Sequence, residues 1–226
     1  ATPEVVLHTP GKIRLFNARG AEERVIETGG AARRLGFLAD LEGDGKKDIV
    51  LGGAKAKSVW LSAWNGQGAS LLDTRFGTMV QGDTYPHFFR DGHIYFTARS
   101  RWNIAPKIVG AYDIAAEKPA WQYHMGPVPL GLYAGPEGRE LAVSHRAVSK
   151  DRDDVTPQYD HPHDRHAELI LSAAGEERSY RPFGTRTKDG YRVEGQISGA
   201  GERLVDVDGD GQSELLMLVE RISELY

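Results

Sequence analysis

The chain has 226 residues, 28 lysines and arginines against 32 aspartates and glutamates, a net charge of −4, and no cysteine. The missing thiol excludes disulfides, cysteine-ligated zinc and thiol catalysis, and the slightly negative balance argues against nucleic acid as a partner. A hydrophobic content of 40% suits a folded core, while no run reaches the roughly 18 apolar residues that a membrane span needs.

In chain order, the stretch "PEVVLHTPGKIRLFN" from Pro3 predicts two strands. "GKIRLFNARGAEERVIETGG" from Gly11 then reads as strand, polar turn, strand and closing glycine. The same pattern returns in "KSVWLSAWNGQGASLLDTRFG" from Lys57, "KIVGAYDIAAEKPAWQYHMG" from Lys107 and "AELILSAAGEERSYRPFG" from Ala167. The turn residues Asn17, Asn65 and Asp113 are spaced 48 and 48 residues apart. The fourth copy is delayed by the polar insertion "SKDRDDVTPQYDHPHDRH", Ser149 to His166. Between these hairpins lie further strand pairs: "RLGFLADLEGDGKKDIVLGG", "TYPHFFRDGHIYFTAR", "PLGLYAGPEGRELAVSHR" and "GERLVDVDGDGQSELLMLVER".

Each full unit therefore holds four short strands, A to D, at a period of 40 to 50 residues, which is the signature of a β-propeller blade, while the first and last units read as partial blades. The expected fold is all-β, a propeller of four-stranded antiparallel blades with about four to five blade units in this chain. The units are roughly 1–30, 31–78, 79–127, 128–185 and 186–226, within a single domain over 1–226 or a segment of a larger ring. An all-β sandwich is the alternative, although sandwiches require no fixed period. Trp60, Trp64, Tyr112, Trp121 and Tyr123 lie on predicted hairpin strands and are expected between blades.

Two A–B connections are acidic. Asp40, Glu42, Asp44 and Asp48 occupy positions 1, 3, 5 and 9 of the first, with Gly45 at position 6. Asp206, Asp208, Asp210 and Glu214 repeat this in the second, with Gly211 at position 6. Calcium takes six to eight oxygen ligands, and a carbonyl at position 7 (Lys46, Gln212) would add one. Position 12 is Leu51 or Met217, each on a predicted strand, so the loops are not EF-hands. A metal-free Asx-rich turn is the alternative, although four carboxylates so close together repel one another without a cation.

This D-x-(D/N)-x-D-G-x-x-(D/E) pattern, followed by an apolar strand, resembles the FG-GAP/VCBS-type repeat of integrin α-subunit propellers and secreted bacterial proteins. The resemblance covers Asp40 to Asp48 and Asp206 to Glu214, with Glu42 departing from the usual Asp or Asn. It implies calcium as a structural cofactor and an extracellular or periplasmic location. The two middle units carry Arg90-Asp91-Gly92 and Pro136-Glu137-Gly138 in the loop instead, without the ligand pattern.

In an A-B-C-D blade the B–C and D–A connections share the face opposite the acidic loops. These connections hold Arg33, Arg34, Lys55, Lys57, Tyr85 and His87, then Arg99, Arg101, Trp102, His145 and Arg146. Such a cationic, aromatic face attracts anions, and arginine suits bidentate contact with carboxylates. Arg99, Arg101, Trp102, His145 and Arg146 are the candidate ligand-binding residues, with a protein partner or an acidic polysaccharide as ligand. His161, His163 and His166 with Asp164 form either a transition-metal cluster or an ordinary polar loop.

The leading expectation is a non-enzymatic, calcium-stabilised propeller module that works outside the cytoplasm. One alternative is a polysaccharide lyase or hydrolase acting on uronate sugars, with Tyr85, His87, Arg99 and His145 supplying the base and the carboxylate clamp. The other is a structural segment of a larger adhesin or assembly protein.

Overall fold

The computed structural model describes residues 5–9, 11–28, 33–55, 57–77, 82–100, 107–135, 138–146, 166–183, 191–196, 204–205, 214–215 and 218–223. Every regular element among them is a strand. The first sheet joins β1 (Val5–Thr9), β2 (Lys12–Phe16) and β3 (Glu22–Glu27). The second joins β4 (Arg33–Ala39), β5 (Asp48–Lys55), β6 (Ser58–Trp64) and β7 (Ser70–Phe76). The third contains β8 (Gly82–Arg90), β9 (His93–Ser100), β10 (Lys107–Asp113) and β11 (Lys118–His124). The fourth contains β12 (Val128–Ala134), β13 (Glu140–Arg146), β14 (His166–Ser172) and β15 (Glu177–Phe183). After it, β16 (Tyr191–Gln196) pairs with β19 (Leu218–Ser223) around the short pair β17 (Leu204–Val205) and β18 (Glu214–Leu215). Each of the first four sheets is an antiparallel meander in chain order, the blade pattern that the repeat predicts.

Side chains alternate along a strand, so a sheet buried on both faces serves two cores. On β10, Ile108 and Tyr112 join Val50, Leu61, Ile94 and Phe96 in the core between the second and third sheets. Their chain neighbours Val109 and Ala111 join Leu132, Val143 and Leu169 between the third and fourth. Strand β5 divides likewise: Val50 faces the third sheet, whereas Ile49 and Leu51 pack with Ile13, Leu15 and Trp64 against the first. Each such fully buried aliphatic side chain contributes about 1.5–3 kcal/mol. Trp60, Trp64 and Tyr112 are buried, and Trp121 and Tyr123 pack partly buried against the core of the third and fourth sheets.

The sheets lean closely on one another. Inner strand β8 lies against β4 and β5, and β12 lies against β8 and β9. Gly52 of β5 makes this possible, because a Cβ there would stand 2.4 Å from the Thr84 carbonyl oxygen.

Two irregularities recur. Every described inner strand of a four-stranded sheet carries one extra residue against its neighbour: Gly36, His87 and Leu130. The outer strands do the same at Glu23, Leu71, Ala120 and Arg178. A bulge bends the strand and re-aims the side chain of the extra residue.

The hairpin turns between the third and fourth blade strands are also built alike. Asn17 Oδ1 accepts the N–H of Arg19 and Ala21 at 3.0 and 3.1 Å. Asn65 Oδ1 accepts those of Gln67 and Ala69 at 3.1 and 2.9 Å. In the fourth sheet Ser172 Oγ takes the N–H of Glu176 at 3.1 Å. Asn65→Ala should cost about 1 kcal/mol, since these are solvent-exposed bonds with modest net worth. A lower urea midpoint with an unchanged slope would report it.

Candidate binding face and acidic loop

Strands β4 and β8 start, and β9 ends, at the edge of the molecule that carries the B–C and D–A connections. That edge gathers a polar cluster from three strands. Arg34 of β4 donates to Asp83 Oδ2 of β8 from Nε at 3.1 Å and from Nη2 at 2.9 Å. Tyr85 Oη donates to the same carboxylate oxygen at 3.3 Å. Arg99 of β9 donates from Nη2 to Tyr85 Oη at 2.9 Å. The two guanidinium carbons lie 5.0 and 4.5 Å from the Tyr85 ring centroid, within cation–π range. Register explains the convergence, because Asp83 and Tyr85 sit across from Arg99 and Thr97 in the β8–β9 ladder.

His87, the extra residue of β8, is turned inward by its bulge. Its Nε2 lies 3.0 Å from Thr97 Oγ1. Burial, aided by the nearby charge of Arg99, pushes its pKa down to about 4. The imidazole is therefore neutral at physiological pH.

Of the ligand-face candidates, Arg99 stands in this cluster together with Tyr85 and His87. His145 is buried in β13, opposite Pro129 of β12. Arg146 ends β13 opposite Val128. Lys57 occupies an exposed turn with φ of 60°. Arg101, Trp102, His161, His163 and Asp164 lie outside the described residues, and His166 opens β14. Asp83 and Thr97 are members of the cluster that the sequence reading does not single out. The alternation Asp83, Tyr85, His87 on one strand is the available signal, since residues two apart share a face.

On the opposite edge, the loop from Asp40 to Lys47 is folded around its first carboxylate. Asp40 Oδ1 accepts the N–H of Gly43 at 2.7 Å and of Asp44 at 3.1 Å, and Oδ2 accepts that of Gly45 at 2.8 Å. Gly43 and Gly45 have φ of 73° and 80°, values that side-chain-bearing residues rarely adopt. Asp48 opens β5, buried, and accepts the Leu41 N–H at 2.8 Å. Burial raises its pKa, with the charges of Asp44 and Asp40 adding to the effect against the Leu41 bond. The side-chain hydrogen bond from Lys46, at 2.5 Å, holds Asp44 below the usual carboxylate range.

The donors are all oxygens, which suits a hard cation, and the buried Asp48 carboxyl is a charge that a cation would relieve. In this conformation, however, the carboxylates are engaged with loop N–H groups and with Lys46. Among the described residues no three acidic or imidazole groups converge on one point. Asp206, Asp208, Asp210 and Gln212 lie outside the described residues, and Glu214 opens β18 opposite Val205. In the third sheet the corresponding connection is a two-residue turn, Asp91-Gly92, with φ of 47° and 77°, the geometry that tight hairpins favour.

Antiparallel four-stranded sheets packed in chain order, with the polar cluster at one edge, define a β-propeller-type protein. Comparison of folds agrees. Hydrazine synthase from Kuenenia stuttgartiensis superimposes with a TM-score of 0.51 at 10% identity, covering 94% of this chain. The chain spans only 57% of the length of that protein. Hsv2 from Kluyvelomyces marxianus aligns over all of this chain and 84% of its own at 10% identity, with a TM-score of 0.31, too low to add to the argument. No protein-family model matches the sequence, and no curated protein matches it.

Proposed function

We propose that the chain is a propeller-type binding module of the FG-GAP/VCBS kind, working in the periplasm or outside the cell. It holds an acidic ligand, a carboxylate-bearing polysaccharide or a protein surface, at the edge formed by β4, β8 and β9. The observation that carries this reading is the grouping of Arg34 and Arg99 around Tyr85, with Asp83 as the single carboxylate between them. Two guanidiniums against one carboxylate leave a positive charge. Arg34 is more than half exposed, so an incoming carboxylate can compete for its fork. Calcium would be held by Asp40, Asp44 and Asp48 with the Lys46 carbonyl, after Lys46 Nζ gives up Asp44. Its role there is to tie the loop to β5.

A lyase reading draws less support from the same cluster. A base with a pKa of about 4, half-buried and hydrogen-bonded to Thr97, has little affinity for a substrate proton at neutral pH.

The test is a thermal-shift titration with EGTA, with calcium, and with calcium plus polygalacturonate, alginate or heparin. A species that binds only the folded chain raises its melting temperature by mass action. Calcium is expected to raise it, and one polyanion to raise it further. Arg34→Glu and Arg99→Glu should each weaken that polyanion roughly tenfold or more, consistent with loss of a charged hydrogen bond. Wild-type affinity in both variants would remove the cluster from the binding site. No calcium response after EGTA treatment would remove the cation.

A further inference from the structure

Asp83 is held by one oxygen. Arg34 Nε at 3.1 Å, Arg34 Nη2 at 2.9 Å and Tyr85 Oη at 3.3 Å all donate to Oδ2. Among the described residues no side-chain hydrogen bond reaches Oδ1. A guanidinium and a carboxylate pair best fork to fork, with two parallel N–H···O bonds to two oxygens. Here both arms of the Arg34 fork close on a single oxygen, so that arrangement is not reached. The strand explains why: Asp83 is fixed opposite Arg99 in the β8–β9 ladder, and its one-methylene side chain meets Arg34 of the neighbouring sheet with one oxygen only. The donors are oriented by other contacts. Arg99 Nη2 donates to Tyr85 Oη at 2.9 Å, which leaves the hydroxyl proton to point at the carboxylate. Both guanidiniums also lie against the Tyr85 ring, at 5.0 and 4.5 Å, and this contact keeps Arg34 in place without Asp83. The pair is open to water, with the Arg34 side chain 56% and the Asp83 side chain 28% exposed, a setting in which an ion pair adds little to stability.

We infer that Asp83 is an internal stand-in for the ligand's carboxylate, an autoinhibitory contact that an incoming polyuronate displaces. The inference rests on the anion-binding reading above and adds its selectivity. A carboxylate that enters from solvent presents two oxygens to Nε and Nη2 of Arg34 and still accepts the Tyr85 proton. It thus makes the set of bonds that Asp83, tied to its strand, does not. It must compete with a carboxylate tethered beside the same donors, whose effective concentration is on the order of millimolar or higher. The displaced Asp83 charge then stands nearby and repels it. A single small carboxylate therefore loses this competition. A polymer with closely spaced carboxylates engages Arg34 and Arg99 together and gains from its own multivalency. The contact makes this edge blind to monocarboxylates and responsive to polyuronates.

Asp83→Ala removes only the carboxylate, and formate has the size and charge of what is lost. Sodium formate should raise the melting temperature of this variant saturably, relative to sodium chloride of equal ionic strength, and leave the wild type unmoved. Adding Tyr85→Phe, which keeps the ring and the net charge, should remove most of the formate response; a response due to altered charge alone would persist. Polygalacturonate should bind Asp83→Ala roughly fivefold more tightly than the wild type, because the fraction of sites closed by Asp83 is released. Asp83→Asn keeps the volume in case the smaller residue unfolds the edge. It should show the same tighter binding and no formate response, since the site stays filled. Three results would overturn the inference: no formate-specific shift in Asp83→Ala, an equal shift in the wild type, or weaker polygalacturonate binding by both Asp83 variants. The last would make Asp83 a structural support of Arg34. If formate fills the Asp83→Ala site and polygalacturonate binds neither protein, the internal stand-in is upheld and the polyuronate is excluded as its ligand.

Discussion

Gly52→Ala should lower stability by about 3 kcal/mol, at the upper end of what overpacking a close-packed site costs. The added methyl would meet the Thr84 carbonyl oxygen at 2.4 Å and Pro86 Cδ at 2.5 Å. Backbone cannot rotate away as a flexible side-chain end can, so β8 itself must move off β5. For a chain of this size the melting temperature should fall by roughly 10 °C. Gly66→Ala is the matched control: nothing lies within 4 Å of its added Cβ, so the change should be neutral or raise stability by up to about 1 kcal/mol through the unfolded chain. Equal behaviour of the two variants would mean that the β5–β8 contact is looser than described.

Acid should destabilise the protein through His87. Its native pKa, about 4, is depressed from an ordinary 6.5 by burial and by Arg99. The unfolded chain therefore takes up the proton more readily, and the stability tied to the neutral imidazole is complete above pH 6.5. It is lost progressively as the pH falls and is gone below about 4, a total of about 3 kcal/mol. His87→Gln keeps a partner for Thr97 but has no proton to gain, so its unfolding free energy should lack this acid limb. Asp48 has the opposite sign. Its raised native pKa gives a contribution present in acid and lost as the pH rises through the native value. The difference between wild type and variant isolates His87 from it. Parallel pH curves for the two proteins would contradict the assignment.

The repeat was legible because hairpin turns have strict chemistry. Asn17, Asn65 and Asp113 are needed where a side-chain oxygen must meet N–H groups two to four residues on, so their spacing reports the unit length directly. Burial of Trp60 and Tyr112 followed from strand assignment. The bulges did not, because an extra residue in a ladder needs no particular side chain: glycine, histidine and leucine stand at equivalent points. Part of the polar cluster was visible as loop-edge arginine and tyrosine, but Asp83 joins them only through cross-strand register, which sequence spacing does not set. The acidic loop was recognised by composition, whereas its internal arrangement, one carboxylate gathering three N–H groups, is a property of its conformation.

The bulge at Gly36, His87 and Leu130 has a consequence for how such a protein can change. A residue that the ladder skips is released from matching a partner across the strand, so what restricts its identity is the packing of the next sheet. That packing differs from sheet to sheet: in the second a Cβ at Gly36 would stand 2.4 Å from Pro86 Cγ and 2.9 Å from the Pro86 carbonyl oxygen, whereas the third sheet holds an imidazole at this point and the fourth a hydrocarbon. New chemistry is therefore open to the positions of His87 and Leu130 with the scaffold unchanged, while the second sheet is held to glycine by Pro86.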